Sequence, residues 1–306
     1  MPRFCSLLLC AALCLGCFGA ANAQPNQTEI EKDIEIPVLD EREEVVADTV
    51  ENPNVFVAHK QNYVFPLSYT SSLNNAVYDE INPEISSFYR SEEVNFQISL
   101  RVKVNEQSLL LPGDALQAGL TLQAWWQLYS NDVSSPFRET NYTPEVFYTV
   151  PLRWRPLGLR PSATLGIEHQ SNGQVQGLSR SWNRVYGILK LEGESFFASI
   201  RPWYRIPEEE RTDPNSAEGD DNPDILDFMG YGELSFGWRG KQLNYYTNFR
   251  GNPSTGNGAV EVFVSFPLFK RFRGVVQYFN GYGNSLIDYD HFQQRIGVGV
   301  LLSNLF

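Results

Sequence analysis

No cysteine follows residue 17 of this 306-residue chain. The four that exist, Cys5, Cys10, Cys14 and Cys17, lie in an N-terminal leader, so the remainder has no thiol. That excludes a disulfide framework and a thiolate metal centre, even in an exported protein whose compartment would permit disulfides. Long hydrophobic runs are equally scarce: beyond the leader no stretch of 18 apolar residues occurs, which rules out a helical membrane span. A basic surplus is missing as well. The formal net charge is −12, and a nucleic-acid partner finds no support in it.

The leader reads as a secretory signal peptide, residues 1–23: Arg3, an apolar core from Phe4 to Ala20, and Ala21-Asn22-Ala23 before the expected cut. A lipoprotein signal at Cys17 is the alternative, but Cys14-Leu15-Gly16-Cys17 lacks the aliphatic residue expected three places before the cysteine. Residues 24–55 carry ten acids against Lys32 and Arg42 and are punctuated by Pro25, Pro37 and Pro53. Self-repulsion and the lack of apolar material predict a disordered periplasmic arm, with an interaction tail as the other reading.

Residues 56–306 have a different texture, in which hydrophobic residues alternate with polar ones. The clearest case is 94–104, where Val94, Phe96, Ile98, Leu100, Val102 and Val104 share one face. The pattern recurs near 60–70, 115–128, 142–154, 158–169, 181–192, 194–205, 228–240, 242–252, 257–268, 273–283 and 292–306, twelve segments in all. An even number of alternating strands, with short and long connections taking turns, predicts an all-β fold: a 12-stranded antiparallel transmembrane β-barrel, closed so that no strand edge meets lipid. Residues 155–157, 192–194, 239–242 and 270–274 are the expected periplasmic turns. Residues 71–92, 129–141, 170–180, 206–227 and 284–291 are the expected outer loops. The connection 105–114 is too long for a periplasmic turn. All six tryptophans fall near strand ends, where an aromatic girdle would lie, and Phe306 ends an apolar stripe of Ile296, Val298, Val300 and Leu302. The inward face is polar, with Gln97, Ser99, Arg101, Lys103, Arg184, Lys190, Arg201, Glu233, Asn248, Arg250 and Glu261, which predicts a plugged lumen.

One feature of this wall departs from lipid-facing chemistry. In the strand predicted around Thr164–His169, the face of Leu165 and Ile167 continues into His169 and Ser171. On the next strand Asn183 shares the face of Val185 and Leu189. A histidine, a serine and an asparagine thus meet on the outer wall, where only a lipid would find them. Ser171 is a candidate nucleophile, His169 the candidate base, and Asn183 the group that orients the ring. His59 and His291 fall at a strand start and in a loop, where solvation is expected. On residues alone, a small porin or a structural barrel whose polar patch contacts lipopolysaccharide competes with the enzyme reading.

The sequences His169-Gln170-Ser171-Asn172-Gly173, Ser179-Arg180-Ser181-Trp182-Asn183-Arg184, 134–142, Asp221-Asn222-Pro223-Asp224 and 281–289 resemble, in the same order, those of the outer-membrane phospholipase A family. The resemblance spans roughly 62–306. It implies a calcium-dependent hydrolase of phospholipid and lysophospholipid esters, acting at either acyl position in the bacterial outer membrane and activated as a homodimer. It assigns His169, Ser171 and Asn183 the roles above. It also implies calcium held by Ser179, the backbone oxygen of Gln174 and Ser134 of a second copy, oxygen donors suited to a hard cation. Two positions depart from the family pattern. The polar residue of the family's dimer seam falls on Leu122, with Gln123 beside it facing inward. An acid linked to a second calcium position is Gln176, leaving Asp221.

Overall fold

A computed structural model describes residues 55–79, 83–211, 219–269 and 272–303. The signal peptide, all but the last residue of the acidic arm, and the terminal Phe306 lie outside the described residues. The strands are β1 (Phe56–Ala58), β2 (Asn62–Thr70), β3 (Glu92–Lys103), β4 (Ala115–Trp126), β5 (Phe137–Pro151), β6 (Arg160–Ser171), β7 (Ser181–Glu192), β8 (Phe196–Ile206), β9 (Gly232–Arg239), β10 (Asn244–Asn252), β11 (Asn257–Phe269), β12 (Phe272–Gly281) and β13 (Gln293–Ser303). Each pairs antiparallel with the next from β2 onward, and β13 pairs with β2, closing a 12-strand barrel as expected.

The first wall position is split. β1 pairs with β3 through Phe56↔Val102 and Ala58↔Leu100, β2 resumes at Tyr63↔Gln97, and two extra residues bulge out between them. The Asn62 amide fills the broken ladder, accepting from Ser99 N–H (2.5 Å) and donating to the Ser99 carbonyl (3.1 Å). The bulge turns His59 and Lys60 into the barrel, where both reach Glu145 Oε1 at 2.9 Å and the His59 ring stacks on Phe147. The expectation that His59 is solvated is therefore wrong: alternation fails at a bulge. His291 lies at the outer end against the Ser72 hydroxyl, 3.1 Å away.

Inside, charges link neighbouring strands β6 to β9 along the inner wall. Glu168 takes Arg184 on one carboxylate oxygen and Arg201 on the other, both at 2.7 Å, and Arg201 extends to Glu233 at 3.6 Å. Arg184 lies over the Trp182 ring (3.7 Å) and Arg201 over Tyr186 (4.1 Å). Burying these ions is tolerable because each finds an opposite charge.

The outer mouth is sealed by apolar packing. Helix α1 (Asn75–Asp79) and α2 (Pro83–Ser86) occupy the β2–β3 loop, and α3 (Ile225–Met229) occupies the β8–β9 loop. Ile225 and Met229 pack with Leu286, Tyr289, Trp182, Trp203, Tyr186 and Phe147. The β12–β13 loop, an outer loop as expected, folds in over the mouth and buries Leu286, Ile287 and Asp288. Its backbone is met there: Asn141 Oδ1 accepts from Leu286 N–H at 2.9 Å and Glu139 Oε1 from Ile287 N–H at 3.3 Å. Gly230 is required where α3 meets β10, since its φ is 69° and a Cβ would stand 1.9 Å from the Gly251 carbonyl oxygen.

The tryptophan girdle holds in part. Trp154 and Trp238 are exposed, but Trp125, Trp182 and Trp203 point into the core. Strand-end position locates a residue along the wall without saying which side it faces. The long 105–114 connection is a self-contained turn. Asp114 accepts the N–H groups of Leu109, Leu110 and Leu111 at 2.7–2.8 Å and the Tyr148 hydroxyl. Although desolvation would raise it, these bonds from Tyr148 and the three amides hold the Asp114 carboxyl well below the ordinary carboxylate range.

Candidate active site

β6 and β7 pair without a break from Arg160↔Glu192 to Ser171↔Ser181, so His169 lies directly opposite Asn183. Odd-numbered residues of both strands face out. Leu165, Ile167, Val185 and Leu189 are exposed, while Gly166, Glu168, Arg184 and Tyr186 are buried inside. On the outward face, His169 Nδ1 stands 2.9 Å from Asn183 Oδ1. The Asn183 Nδ2 donates to Glu208 Oε1 at 3.0 Å, which fixes the amide so that its oxygen faces the ring. His169 Nδ1 must then carry the proton, and Nε2 is left with the lone pair a base needs.

Ser171 follows on the same face, with Tyr142 across the strand on one side and Ser181 on the other. Its hydroxyl makes no hydrogen bond to His169, an open arrangement common to hydrolytic sites without substrate. The β5–β6 ladder lapses between Tyr142↔Ser171 and Glu145↔Glu168. The cause is Pro144, which has no N–H to give opposite His169.

The loop after Ser171 is built around Asn172. Its Oδ1 accepts from Arg180 N–H (2.9 Å) and Gln174 N–H (3.3 Å), and its Nδ2 donates to the Leu178 carbonyl (2.8 Å). Among the metal candidates, Ser179 and Asp221 adjoin: the Ser179 hydroxyl donates to Asp221 Oδ2 at 2.7 Å, with Ser181 at 3.5 Å. Arg211 Nη1 reaches the other Asp221 oxygen at 2.5 Å. Gln174 lies in the same loop, exposed. Ser134 is exposed on the β4–β5 connection. Gln176 begins the short helical turn Gln176–Leu178. On β4, Leu122 lies between Ile98 and Tyr142 on the outward face, and Gln123 faces in and donates to the Tyr63 hydroxyl at 3.0 Å, as expected.

Glu208 and Tyr142 were not anticipated. Tyr142 was accessible from strand register alone. Glu208 follows β8, whose Ile206 pairs with Asn183, so extending that register by two residues would have placed it nearby.

A closed barrel with an apolar belt and a serine, a histidine and an asparagine on its lipid side is an integral membrane protein built to meet lipid from the wall outward. Comparison with known proteins narrows this. A family model for phospholipase A1 matches residues 39–302, and the chain belongs to that family. Phospholipase A1 of Escherichia coli is 37% identical over 261 residues, 84% of either chain, and that of Proteus vulgaris is 34% identical over 303 residues, 97% of this chain and 98% of the relative. The solved outer membrane phospholipase A of Escherichia coli superposes with a TM-score of 0.76 at 35% identity, covering 86% of this chain and 98% of that one. A Salmonella typhi outer membrane phospholipase, solved as a dimer with bound calcium, gives the same TM-score and coverage at 37% identity. The chain is a phospholipid-ester hydrolase of the bacterial outer membrane.

Proposed function

We propose that this enzyme cleaves the acyl esters of phospholipids and lysophospholipids in the outer leaflet through Ser171, His169 and Asn183, with calcium, as a homodimer. The observation that carries the reading is the 2.9 Å contact between His169 Nδ1 and Asn183 Oδ1 on the lipid side of the wall, between exposed Ile167 and Val185. A polar pair held there without use would cost stability, on the order of 1–3 kcal/mol for each unmatched group.

His169 Nε2 takes the Ser171 proton as the hydroxyl oxygen attacks the ester carbonyl. The imidazolium, steadied through Nδ1 by Asn183, returns that proton to the departing glycerol oxygen. A water then enters, gives its proton to His169 and attacks the acyl-serine, and the fatty acid leaves as Ser171 recovers its hydrogen. Ser179 and the Gln174 carbonyl would hold the ion together with Ser134 of a second copy, all oxygen donors, and the Asp221 carboxylate, which accepts the Ser179 hydroxyl at 2.7 Å and pairs with Arg211, adjoins Ser179. That chemistry fits a hard cation. A calcium ion held by these residues would supply positive charge to offset the negative charge that develops on the ester oxygen. Ser134, exposed on the β4–β5 connection, is assigned to the site of a second copy, which makes dimerisation a condition of activity.

The test is fatty-acid release in mixed micelles. Wild type should act with calcium and lose activity with chelator, and Ser171→Ala should be inactive in both. Equal release by the alanine variant would overturn the assignment.

A further inference from the structure

We infer that Glu208 is a positioning residue for the proposed Ser171–His169–Asn183 set, a carboxylate that acts through the asparagine amide. The inference rests on that reading of the site. It starts from a weakness of asparagine: the amide has two ends of nearly equal shape, and only one serves the reaction. With Oδ1 toward His169 the ring is protonated at Nδ1 and basic at Nε2. Turned over, the amide would present Nδ2 to the ring and favour the opposite tautomer, which cannot take a proton from Ser171.

Glu208 removes that ambiguity. It is an acceptor only, 3.0 Å from Nδ2, and a turned amide would set Oδ1 against a carboxylate. Its charge also polarises the amide, so Oδ1 becomes a stronger acceptor for an imidazolium than an isolated asparagine provides.

The segment carrying Glu208 is held in place from beyond the site. Pro207 precedes it directly after β8. Asp220 N–H donates to the Glu209 carbonyl at 2.7 Å, Arg205 pairs with Asp220 at 2.5 Å, and Arg211 pairs with Asp221. The return limb of this loop also carries Asp221, which takes the Ser179 hydroxyl, so one loop fixes both the orienter and the oxygen cluster.

The experiment measures kcat and KM of the full-length enzyme in calcium-containing micelles. Folding is checked by the heat-dependent gel mobility of the barrel. Glu208→Ala should lower kcat about tenfold with KM within twofold of wild type, the loss of one charge-assisted hydrogen bond. Glu208→Gln should fall between the two, because its amide can still accept. The decisive arm is Asn183→Asp, which sets two carboxylates face to face and should be poorly active. Asn183→Asp with Glu208→Gln lets the new amide donate to the new carboxylate and should be at least fivefold more active than Asn183→Asp alone. A merely structural Glu208 would make the double variant worse than either single one. An unchanged kcat in Glu208→Ala, or no recovery in the double variant, overturns the inference. If Ser171→Ala retains wild-type activity, the parent reading falls and this role falls with it.

Discussion

Replacing Glu168 by glutamine should unsettle the barrel without touching the outer wall. Its carboxylate is 1% exposed and holds Arg184 and Arg201 at 2.7 Å each. Glutamine keeps the shape and removes the charge. Arg201 retains Glu233 at 3.6 Å, whereas Arg184 is left with Gln170 Oε1 at 3.4 Å and the face of Trp182. Breaking a buried pair from one side costs about 3–5 kcal/mol, and since one of the two cations keeps a counter-ion the loss should be about 3 kcal/mol. The assay is urea unfolding of the protein in lipid vesicles, followed by tryptophan fluorescence, with the slope unchanged and the midpoint lowered. Arg184 lies 3.7 Å from the Trp182 ring and 5.2 Å from that of Trp203, so the probe reports from the perturbed layer. Glu168→Gln combined with Arg184→Met removes charge and counter-charge together and should recover at least half the loss. A single variant that loses less than about 1 kcal/mol, or a double variant no more stable than the single, would refute the view that the lumen is held by matched ions.

Asp114→Asn should speed hydrogen exchange at the amides of Leu109, Leu110 and Leu111, which its carboxylate accepts. Because the folded carboxyl is held below its unfolded value, its contribution is present in full above about pH 4 and is lost only as pH falls well below that. Mass spectrometry of the 105–114 segment reads both, and unchanged protection in the variant would remove the capping role. Leu122→Gln adds a polar group on the outward face of β4 and should raise calcium-dependent crosslinking into dimers. An interhelical-type hydrogen bond in lipid is worth about 1 kcal/mol, roughly fivefold in association. A crosslinking yield that ignores the substitution would show that this face lies outside the seam.

Period-two alternation was enough to count the barrel strands and to assign His169, Asn183 and Ser171 to the lipid side, because that signal is local and uninterrupted through β6 and β7. It failed where the chain slips register. His59 and Lys60 enter the lumen through a two-residue bulge whose stabiliser, Asn62, replaces backbone bonds with a side-chain amide. The inward β12–β13 loop depends on acceptors from Glu139 and Asn141, nearly 150 residues earlier, which no local pattern encodes. Burial of Trp125, Trp182 and Trp203 was readable in principle, since Trp182 alternates with Asn183; counting strand ends concealed it. Glu208 lies two residues past Ile206, the partner of Asn183, so it becomes legible only when the β8 register is carried beyond the strand end.

β6 and β7 place the proposed reacting groups and the ion-paired core on opposite sides of the same backbone. Selection therefore acts on these strands in two interleaved registers. Residues 167, 169, 171, 183 and 185 answer to the lipid and its cleavage, while residues 166, 168, 184 and 186 answer to assembly. A saturation scan of the two strands should alternate position by position between variants that insert and do not hydrolyse and variants that never insert. A change that shifted either strand by one residue would exchange the two sets at once, losing chemistry and barrel together.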